Sequence, residues 1–536
     1  MMALALALFQ LGGALLPALV GALLFGGLAL LRPDLGLLFV PLTVPLYLIP
    51  AAIQGLRADA DNPFRLPTYE VALLAVLGAT LANWLWHRAT TDHRPPTTDD
   101  RFHAIGKTQH ATHITFYVSR FTFHVLRYAP QFLFLLAGAL GVLLAAERVR
   151  ALREFRWLIA EPLIFYTLLK LQLAGHGQPA SEPGLEKRLG SSSSISQFSI
   201  FNSPFTLRLV AAFALSGALV GLLGLLQFAG LDLVPLLGRK QCFAPDGGPC
   251  TNIVADGGVR RVLSVYGHPN NLGLYLGRVW PLAAALAVAA WNKNESTTNK
   301  SAWLPAFFAL CSLFSVGGIV VSFSRGAWLG AAAALAVLLL GAYAAFTRSP
   351  AHPLIRSPKQ LLAAGRWLLA ALVALMIIGG LALTLRGDVT AGSTPIRLLL
   401  WREAAGYIWR HPLGIGLDQF GYYHDPNSGQ SLIDPALIGT SEQYAAHPHN
   451  LLLDIWLRLG PLGLLAFGWL LARFFRDAWR AARAPAASWP LALGALAAMV
   501  AALIHGLVDN FYFVPDLAIA FWLLLALTGD DERVSG

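Results

Sequence analysis

Long apolar segments, separated by shorter polar ones, recur along the whole chain. Each is close to the length of about 20 residues that a helix needs to cross the hydrocarbon layer of a membrane. Because these segments continue to the C-terminal region, a signal peptide does not explain them. The pattern predicts transmembrane helices near 11–31, 35–54, 68–87, 129–146, 156–173, 206–228, 271–291, 303–322, 326–346, 367–385, 451–471, 489–508 and 512–528, of which 35–54 and 156–173 carry prolines.

Composition supports a membrane protein and excludes other classes. The 536 residues are 56% hydrophobic and only 13% charged, whereas a soluble protein carries about 25% charged residues. The sequence therefore predicts an all-α polytopic membrane protein with about 12–13 transmembrane helices, and it excludes a water-soluble globular enzyme. The net charge of +10 fits cytoplasmic loops and anionic lipid headgroups. No basic stripe interleaves with aromatic residues, so we expect no nucleic-acid partner.

Polar interruptions divide the chain into four regions. Two insertions, 88–128 and 174–204, lie among the first helices, and the longest polar segment of the C-terminal half is 387–450. The predicted regions are N-terminal transmembrane helices with polar insertions at 1–204, central transmembrane helices at 205–386, an external loop with short helices at 387–450 and C-terminal transmembrane helices at 451–536.

Arginine and lysine set the predicted orientation. The basic loops 347–366 and 472–488 should lie in the cytoplasm, which places 387–450 outside. Counting helices back also places SFSRG at 322–326 and GHPNN at 267–271 outside. The same count places the basic segment 147–156 outside, although basic segments usually lie on the cytoplasmic side. It is either an amphipathic helix on the outer surface or the sign of a miscounted helix.

Cysteines and nucleotide motifs offer little chemistry. Cys242 and Cys250 bracket a short polar segment that fits a disulfide on an oxidising face, although two free thiols remain an alternative. The chain has no C-x-x-C pair, Walker A motif, G-x-G-x-x-G or H-E-x-x-H. ATP-driven transport and zinc proteolysis therefore lack support, and we expect no metal and no cofactor.

The external loop holds the most suggestive residues. The stretch 396–411 has the pattern of an amphipathic helix, with Arg397, Trp401 and Ala405 on one face. His449 and Asn450 then open the next membrane helix, where His449 could equally be an ordinary interfacial histidine beside an asparagine cap. Arg397 alone would be a solvated charge.

Two other external segments have similar alternatives. Arg325 lies between two apolar runs, so it needs a function or a path for its charge to reach water. The stretch from His268 to Asn271 is consistent with a turn and a helix cap. His505 and Asp509 have i, i+4 spacing, which favours a structural pair over a catalytic role. Glu161 is an intramembrane carboxylate without an evident partner.

Taken together, these residues suggest one site. Arg325, Arg397 and His449 all map to the outer face. Guanidinium groups bind phosphate oxygens bidentately and keep their charge. A neutral histidine can accept a proton from a sugar hydroxyl. The combination predicts a site for a pyrophosphate and a hydroxyl acceptor.

Several motifs resemble the O-antigen ligases and the related O-antigen polymerases. HNLLLDIWLRLGPLG matches that family's His-Asn, nine-residue gap, Gly-x-x-Gly pattern from His449 to Gly463. SRGAW around Arg325 resembles its Ser-Arg-Gly segment, and RLLLWREAAGYIWRHPLGIGLDQF resembles its outer-loop segment. GHPNNLGLYL and HGLVDNFYF resemble its asparagine-rich helix start and its C-terminal helix pair. The resemblance covers about 260–528.

The resemblance implies a C-type glycosyltransferase-like fold in the cytoplasmic (inner) membrane, with its active site facing the periplasm or outside. It implies transfer of a glycan from undecaprenyl pyrophosphate to a glycolipid or other acceptor, amid membrane lipids and without a metal. Arg325 and Arg397 would hold the pyrophosphate and His449 would assist the acceptor. The matching segments add candidate substrate-binding residues, namely Arg402, Asn450, His268, Asn271 and His411.

Two alternatives remain open at this point. A polymerase of the same family would extend the lipid-linked glycan, and the family pattern separates it poorly from a ligase. An anion transporter, such as one for bicarbonate, could use the same arginines to select its substrate. Such a transporter should show inverted repeats and charges at mid-membrane, whereas the candidate charges here map to one face.

Overall fold

The computed structural model describes residues 1–53, 64–91, 128–175, 203–241, 253–256, 259–296, 303–348, 394–483 and 489–528. Over these residues the protein is helical, apart from two small antiparallel ribbons that pair Ala51–Ile53 with Phe64–Leu66 and Ile253–Asp256 with Val259–Val262. The α-helices are Met2–Leu11, Leu15–Leu31, Pro33–Leu37, Phe39–Thr43, Thr68–Thr91, Tyr128–Leu144, Arg148–Phe155, Glu161–Gly175, Pro204–Phe228, Pro269–Ser296, Trp303–Val321, Arg325–Arg348, Thr394–Arg410, Phe420–His424, Leu451–Arg483, Trp489–Gly506 and Pro515–Thr528.

The helices are those of a multi-pass membrane protein, as predicted. Eight of the described helices are long and apolar enough to cross a membrane. Shorter apolar helices, including Leu15–Leu31 and Tyr128–Leu144, accompany them. The predicted helix at 367–385, most of both polar insertions and the Cys242–Cys250 segment lie outside the described residues.

The N-terminal region differs from its predicted pattern. Instead of one helix from residue 11, Met2–Leu11 and Leu15–Leu31 form a hairpin, because Gly12 and Gly13 interrupt the helix and Gly13 has a φ of +64°. The segment predicted at 35–54 is not one long helix. It consists of short helical turns up to Leu48, since its prolines remove backbone donors, and it ends in a strand.

Small residues let the central helices approach closely. A Cβ on Gly221 would lie 2.2 Å from the carbonyl oxygen of Phe314, and one on Gly330 would lie 2.6 Å from that of Ala501. Such contacts are typical of membrane helices, where packing rather than water exclusion holds helices together. The helix Pro515–Thr528 is buried at every residue and so lies inside the bundle.

The loop after residue 393 is a folded unit. Its core contains Leu400, Tyr407 and Phe420, together with Leu457 from the following helix. That helix, Leu451–Arg483, bends at Gly460, whose φ is +66° and whose missing Cβ would lie 2.4 Å from the Leu413 carbonyl oxygen. The turn after the loop helix therefore packs into the bend.

The basic segment that conflicted with the predicted orientation lies against this loop. It forms the helix Arg148–Phe155, which continues through a wide turn into Glu161–Gly175. Arg153 Nη2 is 3.1 Å from Asp418 Oδ2, and the Glu147 amide donates to Gln419 Oε1 at 2.8 Å. The segment thus shares the loop's side of the bundle, which agrees with the helix count rather than with its charge.

Candidate active site

Five separate segments meet at one end of the helical bundle. They are the start of the helix Pro269–Ser296, the junction before Arg325–Arg348, the first turns of Thr394–Arg410, the segment that leads into Leu451–Arg483, and the segment that follows Trp489–Gly506. His449, which lies just before one of these helices, contacts Glu442 and Asp509 directly. Asn270 and Arg397 contact Asp509 in turn. Helix ends supply this site with polar groups that a membrane helix interior does not offer.

His449 lies between two carboxylates. Its Nε2 is 3.2 Å from Glu442 Oε2, and its Nδ1 is 3.6 Å from Asp509 Oδ1. The side chain is 15% exposed. Burial lowers the pKa of this histidine, but its interactions with Asp509 and then Glu442 outweigh burial and raise the pKa to about 9. With both carboxylates in place, the His449 ring is therefore protonated on both nitrogens and positively charged at neutral pH.

The backbone of His449 is also unusual. Its φ is +50°, a left-handed conformation that few residues other than glycine adopt. Trp401 Nε1 donates to the His449 carbonyl at 3.3 Å, so the loop helix holds this strained residue. Strain of this kind persists only where the surroundings impose it, and it concentrates at functional sites.

Asp509 links His449 to two other segments. Asn270 Nδ2 donates to its Oδ2, and the Asn510 amide donates to its Oδ1 at 2.7 Å. Burial would raise the pKa of this carboxyl, but its interaction with His449 holds the pKa well below the usual range. Arg397 Nη2 approaches Asp509 Oδ2 at 3.9 Å. Asp509 thus remains charged between a histidine and an arginine.

The arginines of the site differ in placement. Arg397 lies beside Asp509 with 26% of its side chain exposed. Arg402 is exposed, and five helical positions rotate it by roughly 140° from Arg397. Arg325 begins its helix, half-buried, between Ser324 and Gly326. Ser324 Oγ lies 3.3 Å from His505 Nε2, so the Arg325 backbone borders the segment that leads to Asp509.

The predicted binding residues are only partly gathered here. Burial lowers the pKa of His268 to about 4 although Asp509 and Glu442 lie nearby, so this ring is neutral at neutral pH. Asn270 contacts Asp509, whereas the neighbouring Asn271 donates its backbone amide to the His268 carbonyl. Asn450 acts as a helix cap, because its Oδ1 accepts from the amides of the first helical turn and its Nδ2 donates to the Leu507 carbonyl.

His411 lies away from this cluster. It follows the helix Thr394–Arg410 at the end opposite Arg397, about 21 Å away at the usual rise of about 1.5 Å per residue. Its ring packs against Tyr423, with centroids 5.4 Å apart. The structure therefore places it in the packing of the loop.

Two further expectations from sequence are corrected. His505 and Asp509 do not share a helical face, because the helix ends at Gly506, and His505 instead faces Ser324. Glu161 does have partners, since the Tyr69 hydroxyl donates to it at 3.0 Å and Arg156 Nε lies 3.4 Å away. Its role in the structure is to join helices.

Sequence analysis also missed residues that hold the site. Glu442 could not be recognised from the sequence, because acidic residues are common in polar loops. Arg458 lies inside an apolar helix pattern and was not recognised. It is buried, it pairs with Glu154 and with Asp454 at 2.8 Å, and its guanidinium stacks on Phe513 at 4.6 Å. An intramembrane arginine needs partners of this kind, and that rule could have identified it.

The fold and the cluster define a multi-pass membrane protein with a polar site at one end of its helices. Residues 310–468 match the family model described as O-antigen ligase. This match supports assignment of the chain to the O-antigen ligase family. Arg325, Arg397, Glu442 and His449 lie within the match, whereas Asp509 lies beyond it. Comparison with curated proteins found no match.

Proposed function

We propose that this protein is a membrane glycosyltransferase that moves a glycan from undecaprenyl pyrophosphate to an acceptor hydroxyl at the outer face of the cytoplasmic membrane. The family acts on polyprenyl-linked glycans and lipid acceptors. The observation that carries the proposal is the placement of His449 between Asp509 and Glu442, with Arg397 beside Asp509. This arrangement offers a base, a group that orients it and a cation within one cluster.

The donor pyrophosphate would lie on the arginine side of the cluster. Arg397 is partly exposed, so its guanidinium can leave Asp509 at 3.9 Å for a closer phosphate oxygen. Arg325 would add a second cation from the adjoining helix start. Both charges would stabilise the negative charge that grows on the leaving pyrophosphate. Because this donor is already activated, the step requires no nucleotide and no metal.

The acceptor hydroxyl would occupy the position that Glu442 takes at His449 Nε2. Glu442 belongs to a short 3-10 turn, Ser441–Tyr444, with its side chain 30% exposed, so a local movement can release it. With Glu442 displaced, neutral His449 can keep its Nδ1 proton towards Asp509 and accept the hydroxyl proton at Nε2. The acceptor oxygen then bonds to the anomeric carbon, and the bond between that carbon and the pyrophosphate oxygen breaks.

Lipid-linked glycans in cells test this proposal. Polyprenyl-pyrophosphate glycans would be extracted from cells that carry the wild-type protein, His449→Ala or Arg397→Ala, and weighed by mass spectrometry. An exposed histidine on another helix provides the matched control, His87→Ala. We expect carrier-linked glycan to accumulate in both site variants and not in the control, with equal amounts of each protein in the membrane.

The form of the accumulated glycan separates the alternatives. Long carrier-linked glycan indicates a blocked ligase, whereas single repeat units indicate a polymerase. An unchanged pool in both site variants would remove the glycosyltransferase proposal, and anion uptake would then be measured.

A further inference from the structure

His447, His449 and Asp509 form a cluster whose geometry suits a metal ion. Each offers one ligand atom, and the three atoms all lie within 4.8 Å of one another. Two ligands at about 2.1 Å from a tetrahedral zinc ion lie roughly 3.4 Å apart. His449 Nδ1 and Asp509 Oδ1 are already 3.6 Å apart, so this pair needs almost no movement.

A metal ion on His449 Nδ1 would take the place of the proton that faces Asp509 at this nitrogen. His449 Nδ1 is buried and has no hydrogen bond among the described residues. A buried polar atom without a hydrogen bond is costly, and such atoms in native proteins call for an explanation. A metal ion between this nitrogen and the Asp509 carboxylate would give Nδ1 a partner.

His447 would lose little hydrogen bonding if it bound a metal. His447 lies with its ring centroid 4.3 Å from that of His449, and its Nδ1 accepts the His449 amide at 3.3 Å. A metal on His447 Nδ1 would occupy the lone pair that accepts this hydrogen bond. A metal on Nε2 would leave the ring proton on Nδ1, which then could not accept it. In either case the neutral ring loses only this long hydrogen bond.

The residues around the three candidate ligands resemble those that hold metal ligands in place in other proteins. A ligating histidine commonly donates its other ring N–H to a carboxylate, and here His449 Nε2 lies 3.2 Å from Glu442 Oε2. Asn270 and the Asn510 amide hold Asp509 in place. The positive charge of Arg397, 3.9 Å from Asp509, disfavours the binding of a metal cation. The negative charge of Glu442 favours its binding.

We propose that these three residues bind Zn²⁺ through two nitrogens and one oxygen, and that bound Zn²⁺ inhibits the protein. The three residues leave one position of a tetrahedral zinc ion open for water. A metal between Nδ1 and Asp509 would replace the proton at Nδ1 and fix the ring, so that His449 could not act as a base. Inhibition rests on the proposed transfer reaction, whereas binding does not.

Metal binding is tested on the purified full chain in detergent, without a histidine tag. Co²⁺ serves as a spectroscopic probe in place of Zn²⁺, and isothermal titration gives the Zn²⁺ stoichiometry and affinity. We expect one Zn²⁺ per chain and a visible Co²⁺ spectrum of tetrahedral type. His447→Ala and the milder His447→Gln should abolish both signals, while His87→Ala retains them.

Glu442→Gln provides a finer test. The loss of an outer-shell carboxylate typically weakens metal affinity by about 10–100-fold, so we expect a change of that size with unchanged stoichiometry. Wild-type protein without a saturable site, or His447 variants that bind Zn²⁺ as wild type does, would overturn the proposal. Binding that His87→Ala removes would also overturn it, because it would place the metal at the surface.

Inhibition is then measured as glycan transfer with added Zn²⁺. Wild-type transfer should fall when Zn²⁺ is added and recover with EDTA, whereas His447→Ala should transfer at the same rate with and without Zn²⁺. Equal inhibition of wild type and His447→Ala would overturn the inhibitory role. A protein that binds Zn²⁺ but transfers no glycan would refute the proposed function and leave the metal site standing.

Discussion

His449 Nδ1 faces Asp509 Oδ1 across 3.6 Å, and the two residues come from opposite ends of different helices. One precedes Leu451–Arg483 and the other follows Trp489–Gly506. The contact therefore depends on the packing of these two helices. It gives the His449 ring a fixed orientation that no neighbour in the sequence could supply.

Removal of the Asp509 charge should stop transfer while the protein remains folded. Asp509→Asn preserves the size of the side chain but removes the charge that orients His449 and stabilises its proton. We expect a loss of at least about 100-fold in the rate of glycan transfer, the lower range for a general base. The rate is measured with purified lipid-linked donor. Asp425→Asn, on an exposed turn of the loop, should transfer normally, and wild-type rates in Asp509→Asn would contradict the proposed pair.

The two arginines of the loop helix should respond differently. Lysine keeps the charge but loses the bidentate geometry of guanidinium. A lost hydrogen bond to a charged group costs about 1.5–3 kcal/mol, which corresponds to tenfold or more in rate. Arg397→Lys should lower kcat/KM for the donor by that factor, whereas Arg402→Lys should leave it near wild type. The reverse order would show that Arg402 is the phosphate ligand.

Arg458 should matter for stability. Its removal leaves Glu154 and Asp454 buried without their cation, and such a loss costs about 3–5 kcal/mol. Arg458→Met should therefore lower the Tm of the detergent-purified protein, measured by the fluorescence of its tryptophans. The exposed Arg410→Met serves as the control. An unchanged Tm in Arg458→Met would mean that this network contributes little.

The loop should show a pH-dependent stability through His424. Its Nδ1 lies 2.9 Å from Glu403 Oε1, and its Nε2 lies 2.8 Å from the Glu442 carbonyl. Burial lowers the pKa of His424, but the hydrogen bond and charge of Glu403, helped by Glu442, raise it overall above 6.5. The folded pKa exceeds the unfolded one, so the stabilisation is complete below about pH 6.5 and is lost as the pH rises through the folded pKa.

Glu403→Gln tests this dependence, because it removes the main charge that faces His424. The Tm difference between wild type and Glu403→Gln should be largest at acidic pH and should shrink at alkaline pH. The matched variant Asp434→Asn, at another turn of the loop, should show no such trend. A Tm difference that stays constant from pH 5.5 to pH 9 would show that His424 keeps one protonation state.

The helices could be predicted from sequence because crossing a membrane demands long apolar runs. The helix Thr394–Arg410 was predicted as 396–411 for a similar reason, since one face is apolar. The breaks near Gly13 and before Leu48 were not placed, because prolines and glycines weaken a helix without fixing where it ends.

The contacts within the site could not be predicted to the same degree. Motifs pointed to His449, Arg397 and Arg325 as candidate site residues, but not to the side chains that contact them. The choice of Asn270 over Asn271 depends on the rotation of a helix by one residue, about 100°. Asp509 was assigned to a helical pair because the sequence does not show that the helix stops at Gly506. Such choices are made by packing between distant segments.

The burial of Pro515–Thr528 on all sides has a consequence for biosynthesis. The ribosome makes this helix after the helices that surround it, so those helices enter the membrane before their common neighbour exists. Their inner faces, which include Phe134 and Phe467, must meanwhile contact lipid or one another. The bundle is therefore complete only after this last helix has entered it.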